Sequence, residues 1–476
     1  MDVKREETIN DLKRILGTEK VFDDEALIKL YGKDAIFREG SAIALVLPES
    51  VEDVSKLLSY AYKNDLKIYP QGSATDLVGS STPHSDGIIL NLQRMNRIKE
   101  ISVVDSYVVT EPGVRLFELN NVLSDYGYMF PVDPGSVKSA SVGGAINSGA
   151  GGMMGAKYGT MKDYVLELQV VLPDENGTIM RIGSKTTKSR QGYDLVRLIV
   201  GSEGTLAVVT EATLKIVPIP ENVVTIAGFF PSLEDLARAV IDIKKSRFDV
   251  LIMEFVDDLT VKSALENTKT KISGEGNMLI TSVITSIESA DRVLNSLEEI
   301  FKLHGATKVY KARTQQESDE LGLMDIRRNY YAASIQIAAK TRKKETNKII
   351  VYPEDISVPP SKLVEAVRRI RELEKKYGIP MTLAGHISDG NIHPNIWVEE
   401  EDKERLELLP KLIADIMRIG IELGGTMSSE HGIGTTKKEG LIEELEHKGG
   451  LKALELMRGI KRLFDPKGIL NPDKVL

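Results

Sequence analysis

The sequence contains no cysteine, a single tryptophan and only six histidines among its 476 residues. Without cysteine the chain forms neither disulfides nor thiolate zinc sites, and it cannot hold an iron–sulfur cluster by itself. Any redox chemistry that the protein performs therefore needs another carrier.

Long hydrophobic runs and an excess of positive charge are also missing. No stretch approaches the ~20 consecutive apolar residues that cross a bilayer, and the charged N-terminus lacks the apolar core of a signal peptide. The net charge is −8, from 62 basic and 70 acidic residues, and it argues against nucleic acid as a main partner. We expect a cytoplasmic protein without a transmembrane segment, and leave open a peripheral association with the membrane.

Three of the six histidines lie in two short glycine-rich segments. His386 and His393 belong to residues 385–393, and His431 follows Glu430 in residues 429–434. Two imidazoles and a carboxylate are typical ligands of a divalent metal, and a third imidazole can move a proton near neutral pH. The spacing is not H-E-x-x-H, which disfavours a metalloprotease. The set indicates a catalytic centre, and zinc, manganese and iron(II) all suit its ligands.

Three other glycine-rich segments occur in the first half, at residues 71–79, 133–152 and 201–205. Glycine lets backbone N–H groups approach a ligand closely, and successive N–H groups form a concavity that suits a pyrophosphate. No G-x-G-x-x-G follows the first strand, and no P-loop lysine is present, so neither a Rossmann site nor a P-loop is expected. One such segment would be read as an ordinary turn, but three together favour a bound dinucleotide.

A chain of this length should divide into two or three domains. A capping pattern at Ser50 and Asp53 predicts a helix to about Lys63, and residues 218–222 resemble a linker. Strands are predicted before this linker at residues 43–47, 67–69, 87–92, 108–114, 166–172 and 206–217. After it, strands at 250–255 and 277–285 and helices at 232–244, 289–303 and 408–423 indicate an α+β domain with helices covering one sheet.

The three glycine-rich segments, with Tyr158-Gly159 and residues 201–210, resemble the FAD-binding domain of the vanillyl-alcohol oxidase flavoprotein superfamily. Residues 386–393 and Glu430-His431 resemble its D-2-hydroxyacid dehydrogenase branch, which includes D-lactate dehydrogenase, the glycolate oxidase FAD subunit and D-2-hydroxyglutarate dehydrogenase. The resemblance covers the chain from about Ala42 to Leu476.

The resemblance implies an α+β fold in three parts. Residues 1–218 would form a FAD-binding domain of the p-cresol methylhydroxylase (PCMH) type. Residues 219–420 would form an α+β substrate-binding cap domain with an antiparallel sheet. Residues 421–476 would be a C-terminal helical segment that completes the active site and packs on the FAD domain.

The resemblance also implies that FAD is bound non-covalently, because the glycine-rich loops contain neither the histidine nor the cysteine through which some members attach flavin. The family often has arginine where Gln71 stands and glycines at Ser73 and Ala74, so some positive charge near the pyrophosphate is lost here. The implied cofactor-binding residues are Gln71, Gly72, Ser73, Ala74, Thr75, Asp76, Gly79, Pro134, Gly135, Ser141, Gly143, Gly144, Asn147, Gly149, Ala150, Gly151, Tyr158, Gly159, Glu203, Gly204, Val209 and Asn471.

The metal ligands and the base follow from the same resemblance. His386, His393 and Glu430 match the family's metal-binding residues, and His431 matches its proposed base. In the implied reaction, FAD and a divalent metal serve the oxidation of a D-2-hydroxy acid to the 2-oxo acid. Hydride passes to flavin N5 while His431 accepts the hydroxyl proton.

The substrate contacts implied by the resemblance are Arg327, Asn395 and Tyr331. Arg327 aligns with a carboxylate-binding arginine, and the adjacent Arg328 is its rival. The 2-hydroxyglutarate enzymes use a threonine and a lysine near the positions of Tyr331 and Pro353, and the missing lysine argues against a second carboxylate. Together with the nearby tyrosines Tyr330 and Tyr352, this favours D-lactate, glycolate or a 2-hydroxy-4-methyl acid.

The electron acceptor would be a quinone, a cytochrome or an electron-transfer flavoprotein, with direct use of O2 as a variant. Alternatives left open are a glycolate or D-2-hydroxyglutarate dehydrogenase, a FAD-binding subunit of a larger redox complex, and a metal-dependent hydrolase whose glycine loops bind a phosphorylated substrate. Assembly as a homodimer is also open.

Overall fold

The computed structural model describes residues 3–36, 38–84 and 86–476, whose contacts divide between two units. The first unit comprises residues 1–152, 159–219 and 430–476, and the second comprises residues 153–158 and 220–429. Within the described residues, no helix has both the length and the hydrophobicity that a bilayer crossing requires.

The helices and strands are named in chain order. The helices are α1 (Val3–Leu16), α2 (Glu25–Tyr31), α3 (Val51–Lys63), α4 (Leu116–Ser124), α5 (Val142–Ser148), α6 (Gly155–Tyr158), α7 (Met161–Tyr164), α8 (Leu195–Ile199), α9 (Leu233–Lys245), α10 (Asp258–Asn267), α11 (Ala290–Leu303), α12 (Gln315–Leu321), α13 (Asp325–Arg328), α14 (Tyr330–Thr341), α15 (Leu363–Tyr377), α16 (Lys403–Glu422), α17 (Lys438–His447) and α18 (Leu451–Phe464). The strands are β1 (Val21–Phe22), β2 (Ala44–Val46), β3 (Ile68–Gln71), β4 (Ile88–Asn91), β5 (Ile98–Ser102), β6 (Tyr107–Thr110), β7 (Tyr128–Met129), β8 (Val165–Val171), β9 (Ile179–Gly183), β10 (Val208–Lys215), β11 (Val217–Pro218), β12 (Val223–Phe230), β13 (Val250–Val256), β14 (Asn277–Ile284), β15 (Lys308–Ala312), β16 (Ile349–Pro353), β17 (Ile356–Ser357), β18 (Met381–Gly385) and β19 (Asn391–Glu399).

The first unit contains a small mixed sheet in the order β1-β2-β4-β3, with β4 parallel to both β2 and β3. Helices α1 and α3 cover this sheet with apolar side chains such as Leu12 and Leu57, which are fully buried. The predicted helix start is confirmed, because the Ser50 side chain accepts a hydrogen bond from the Asp53 N–H and caps α3. The first glycine-rich loop follows the end of β3.

A second sheet of the first unit is antiparallel, in the order β5-β6-β10-β8-β9. The predicted strand 108–114 is shorter than expected, since β6 ends at Thr110 and Pro112 has no N–H to continue the ladder. The predicted strand 206–217 and linker 218–222 also need correction. Strand β10 ends at Lys215, and Pro218 belongs to β11, which pairs with β7.

The second unit is built on one antiparallel sheet in the order β15-β12-β14-β13-β18-β19-β16, with β17 paired to β19. Side chains alternate between its two faces. One face packs against α9, α11, α15 and α16. The other face, which includes Ala227, Val256 and Ala384, packs against α10, α13 and α14. Helices therefore cover both faces rather than one, and the predicted α+β class is confirmed.

Candidate active site

The first glycine-rich loop, residues 71–79, is held in shape by hydrogen bonds of side chains within it and beside it. Gln71 Nε2 donates to Tyr31 O at 2.7 Å, and Asn91 Nδ2 donates to both Gln71 Oε1 and Gly72 O at 2.9 Å. The Asp76 carboxylate accepts hydrogen bonds from the Ser80 N–H and the Ser81 hydroxyl. The side chains of Gln71 and Asp76 therefore hold the loop in shape.

The three glycine-rich segments of the first unit meet each other. A Cβ on Gly72 would lie 2.2 Å from Ser141 Oγ, and a Cβ on Gly149 would lie 3.2 Å from Gly201 Cα. Any side chain at position 72 would overlap Ser141, so only glycine lets these two segments approach so closely. The third segment is bound to the second through its backbone, because the Glu203 N–H donates to Asn147 O at 2.7 Å.

Asn471, near the C-terminus, joins the same region. Its Nδ2 donates to Glu203 O at 2.6 Å and to Ser80 O at 3.0 Å, and so links the third segment to Ser80, which directly follows the first segment. Three buried polar atoms here have no hydrogen-bond partner among the described residues: Asn147 Oδ1, Ser202 Oγ and Asn471 Oδ1. Buried polar atoms are normally satisfied. The two amide oxygens can accept hydrogen bonds and the Ser202 hydroxyl can donate one, so these residues fit a polar ligand that carries hydroxyl or N–H donors, such as the ribose and rings of a dinucleotide.

The other residues predicted to contact the cofactor differ from one another in burial and in their position in the fold. The Gly143 N–H donates to Pro112 O at 2.8 Å, Val209 is buried in β10, and Gly135 is exposed. Tyr158 ends α6 and belongs to the second unit. The rest lie in the first loop (Ser73, Ala74, Thr75, Gly79), around α5 and before α7 (Pro134, Gly144, Ala150, Gly151, Gly159), and in the third segment (Gly204).

The segment Glu430–Gly434, which carries His431, is held within the first unit by Glu203. The Glu203 carboxylate accepts hydrogen bonds from the Ile433 N–H at 2.6 Å and the Gly434 N–H at 2.8 Å. A Cβ on Gly432 would stand 2.7 Å from Glu203 Oε1, so the glycine lets the carboxylate approach the backbone. Burial raises the pKa of Glu203 to about 7, although the two backbone donors oppose the shift.

The residues that precede Glu430 are held by a second carboxylate, within the second unit. Asp355 is fully buried and accepts hydrogen bonds from the Ser429 N–H at 2.7 Å and the Ser428 hydroxyl at 3.3 Å. The backbone that leads into Glu430 is therefore fixed. Asp355 was not among the predicted site residues, because nothing local in the sequence links it to residues more than 70 positions away.

The two histidines predicted as metal ligands come together in the second unit. His386 begins the turn between β18 and β19, and His393 lies on β19 opposite Ala384 of β18. Both side chains are buried, and their ring centroids are 5.1 Å apart in an edge-to-face arrangement. Gly390 closes the turn with a φ of +88°, where a Cβ would stand 1.8 Å from Val358 O. Only glycine fits this position.

A buried carboxylate outside the predicted set of site residues lies beside His386. Phe255 of β13 pairs with Gly385 of β18, so the register places Glu254 opposite His386. Glu254 is fully buried, and its Oε1 lies 2.8 Å from His386 Nδ1. A carboxylate bonded to one ring nitrogen is the partner that metal-binding histidines commonly have, with the other ring nitrogen as the metal ligand. The detectable signal was a lone acid within the apolar run of residues 250–256.

The same carboxylate holds the predicted substrate arginine. Arg327 Nε donates to Glu254 Oε2 at 2.6 Å, and its guanidinium carbon lies 5.7 Å from the Tyr330 ring centroid. Its terminal nitrogens donate to no acceptor among the residues described, and they can form the bidentate fork that suits a carboxylate. The rival Arg328 is exposed. The geometry favours Arg327.

The remaining predicted substrate residues differ in their surroundings. Asn395 is buried on β19, and its Nδ2 donates to Ser334 Oγ at 3.2 Å. Tyr331 is 40% exposed. Its neighbour Tyr330 is buried, with its hydroxyl 2.6 Å from His393 O, and burial raises the pKa of that hydroxyl. Tyr330, rather than Tyr331, therefore fixes the backbone at a predicted metal ligand.

Two family models match the chain. The model described as the FAD binding domain matches residues 42–183, and the one described as FAD linked oxidases, C-terminal domain, matches residues 219–475. The glycolate oxidase subunit GlcD of Bacillus subtilis is 33% identical over 98% of this chain and 95% of its own. The D-lactate dehydrogenase of Archaeoglobus fulgidus is 34% identical over 92% of each chain.

Solved structures with the same fold are more distant in sequence. The 4-ethylphenol oxidase of Gulosibacter chungangensis superposes with a TM-score of 0.77 at 18% identity, over 100% of this chain and 98% of its own. p-Cresol methylhydroxylase superposes with the same TM-score at 16% identity, over 100% and 97%. The fold expected from the resemblance, with its PCMH-type FAD-binding domain, is thereby confirmed. The chain belongs to the FAD-linked oxidase family and is a flavin-dependent oxidoreductase.

Proposed function

We propose that this protein oxidises a D-2-hydroxy acid of the size of D-lactate to the 2-oxo acid, with FAD and a divalent metal. The observation that carries the proposal is the pair of buried imidazoles, His386 and His393, together with Arg327, whose terminal nitrogens donate to no acceptor among the described residues. Relatives named D-lactate dehydrogenase and glycolate oxidase subunit support the substrate class. The electrons would pass to a quinone, a cytochrome or an electron-transfer flavoprotein.

FAD, when bound by the glycine-rich segments of the first unit, supplies the two-electron oxidation that side chains cannot perform. Zinc, manganese or iron(II), held by His386, His393 and Glu430, would supply a Lewis acid that lowers the pKa of the substrate hydroxyl. The donor set fits, because two imidazoles and a carboxylate suit these ions, and a carboxylate on Nδ1 is the partner that metal-binding histidines commonly have.

The side chains then bind and deprotonate the substrate. Arg327 binds its carboxylate through two parallel hydrogen bonds, and Asn395 contacts the substrate beside it. His431 would accept the hydroxyl proton, and the hydrogen on C2 would leave with its electron pair, for which FAD would be the acceptor. The substrate thus loses two protons and two electrons in all and becomes a 2-oxo acid. Burial of the predicted ligands His386 and His393 limits competition from water.

The substrate is proposed to be small because this sequence lacks the lysine that the 2-hydroxyglutarate enzymes use, and so lacks that cation for a second substrate carboxylate. Pro353 and Tyr331 occupy positions near those at which the resemblance places a lysine and a threonine in the 2-hydroxyglutarate enzymes. Glycolate is the second candidate, supported by the name of the Bacillus subtilis relative. A role as the FAD-binding subunit of a larger complex is compatible with either substrate.

Anaerobic flavin bleaching tests the proposal. D-Lactate should reduce the bound flavin within seconds, whereas L-lactate and D-2-hydroxyglutarate should be at least ~100-fold slower, because binding and base geometry select one enantiomer and one size. Glycolate in the same assay distinguishes the second candidate. EDTA treatment should abolish bleaching, and Mn²⁺, Zn²⁺ or Fe²⁺ should restore it. A colourless protein that cannot be reconstituted with FAD would contradict the proposal.

A further inference from the structure

We propose that Glu254 is a positioning residue that couples the metal site to the substrate-binding arginine. The inference rests on the proposed function, since it concerns how two parts of that site are held. The observation is that one carboxylate binds both partners. Its Oε2 accepts the Arg327 Nε–H at 2.6 Å, and its Oε1 and Oε2 lie 2.8 and 3.0 Å from His386 Nδ1.

Because Glu254 is buried away from solvent, its contacts with Arg327 and His386 are its main interactions. The side chain has no exposed surface, and it projects from the middle of the sheet on β13. A buried carboxylate without partners is costly, so it holds its donors firmly. Because one donor is the predicted metal ligand and the other the predicted substrate ligand, movement of either one displaces the other.

The contact with His386 determines which ring nitrogen faces a metal. A carboxylate accepts hydrogen bonds but donates none, so in the neutral ring it selects the tautomer with the proton on Nδ1 and the lone pair on Nε2. The contact with Arg327 determines how the guanidinium lies. With Nε bound to Glu254, the plane of the guanidinium is fixed, and with it the direction of the two terminal nitrogens, which donate to no acceptor among the described residues. Glu254 therefore orients the histidine for a cation and the arginine for an anion.

The test is Glu254→Gln in the FAD-loaded full-length protein. The amide keeps the shape but loses the charge, and its NH₂ group replaces one of the two oxygens that lie near His386 Nδ1. Mn²⁺ affinity, measured from free Mn²⁺ by electron paramagnetic resonance after EDTA treatment, should fall by ~10–100-fold, as for other partners of metal-binding histidines. Pyruvate affinity at saturating Mn²⁺, measured from the flavin spectrum, should fall by roughly tenfold through the loosened Arg327.

Asp257→Asn is the matched control. Asp257 is also fully buried and pairs with an arginine, Arg371 at 2.7 Å, in the same unit. Its loss should lower the melting temperature but leave Mn²⁺ and pyruvate affinities within twofold. If Glu254→Gln does not fold, Glu254→Asp keeps the charge while shortening the side chain, and it should weaken both affinities by a smaller factor.

Two outcomes would overturn the inference. One is a folded Glu254→Gln variant that keeps both affinities within twofold. The other is an equal loss in Asp257→Asn, which would show a general effect of a buried ion pair. A wild-type protein that binds neither Mn²⁺ nor pyruvate would overturn the proposed function as well. Normal wild-type binding with an unaffected variant would overturn the role of Glu254 alone.

Discussion

A substitution at His431 should lower turnover without affecting FAD binding. Its segment is fixed by the Glu203 carboxylate, which bonds to the backbone rather than to the imidazole, so removing the ring should leave the segment in place. We predict that His431→Ala keeps its full FAD content while kcat/KM for D-lactate falls by ~10²–10⁴-fold, the usual contribution of a general base. Stopped-flow reduction and the ratio of flavin to protein absorbance measure both quantities.

The control for this prediction is His447→Ala, which removes an exposed histidine at the end of α17 in the same unit. It should behave like the wild type in both measurements. Full turnover in His431→Ala would assign the base to another residue, and loss of FAD would make the residue structural.

Among the elements, the turn between β18 and β19 depends most clearly on a glycine, because its backbone conformation and the space around it exclude other residues. Gly390 has a φ of +88°, and a Cβ there would stand 1.8 Å from Val358 O. We predict that Gly390→Ala destabilises the protein by at least about 2 kcal/mol, from backbone strain and overlap together. Mn²⁺ affinity should fall too, because the displaced turn begins at His386. Thermal unfolding and the Mn²⁺ titration provide the measurements.

Gly378→Ala is the comparison for this element. Gly378 follows α15 in the same unit with a φ of +62°, but it has nothing within 4 Å of where a Cβ would stand. Gly378→Ala should lower the free energy of unfolding by only about 1 kcal/mol, the penalty of the left-handed conformation, and should leave the Mn²⁺ affinity unchanged. Equal effects of the two substitutions on stability and on Mn²⁺ affinity would contradict the idea that Gly390 is specifically required in the turn.

The same elements show which features could be predicted from the sequence. The cap of α3 and the pairing of His386 with His393 depend on residues close in the chain, so local patterns revealed them. Glu254 lies 132 residues before His386, and only the register of β13 against β18 brings the two together. Likewise, no change in composition marks residues 153–158, which contact the second unit while the residues on both sides contact the first.

At the scale of the whole molecule, the stability of the first unit should depend on pH through Glu203. This residue joins separate parts of the chain, since its carboxylate binds Ile433 and Gly434 and its carbonyl binds Asn471. Burial raises the pKa of the carboxyl from 4.5 to about 7, with Asp76 adding to the shift and Lys474 opposing it. A raised pKa in the folded state means that folding favours the protonated form. The resulting stability is present below pH 4.5 and is lost as the pH rises through 7.

Glu203→Gln removes this titration and keeps the shape of the side chain. We predict that the free energy of unfolding of the wild type, relative to this variant, falls between pH 4.5 and 8 by up to about 3 kcal/mol, at ~1.36 kcal/mol per unit of pKa.

Glu211→Gln is the comparison, because the stability of the wild type relative to this variant should change with pH in the opposite direction. Burial would raise the pKa of Glu211, but Lys99 and Arg181 outweigh it and hold that pKa below its usual value. The wild type should therefore gain stability over Glu211→Gln as the pH rises through the acidic range. Unfolding curves at matched FAD saturation that stay parallel for the wild type and Glu203→Gln would show that the carboxyl ionises normally in the folded protein.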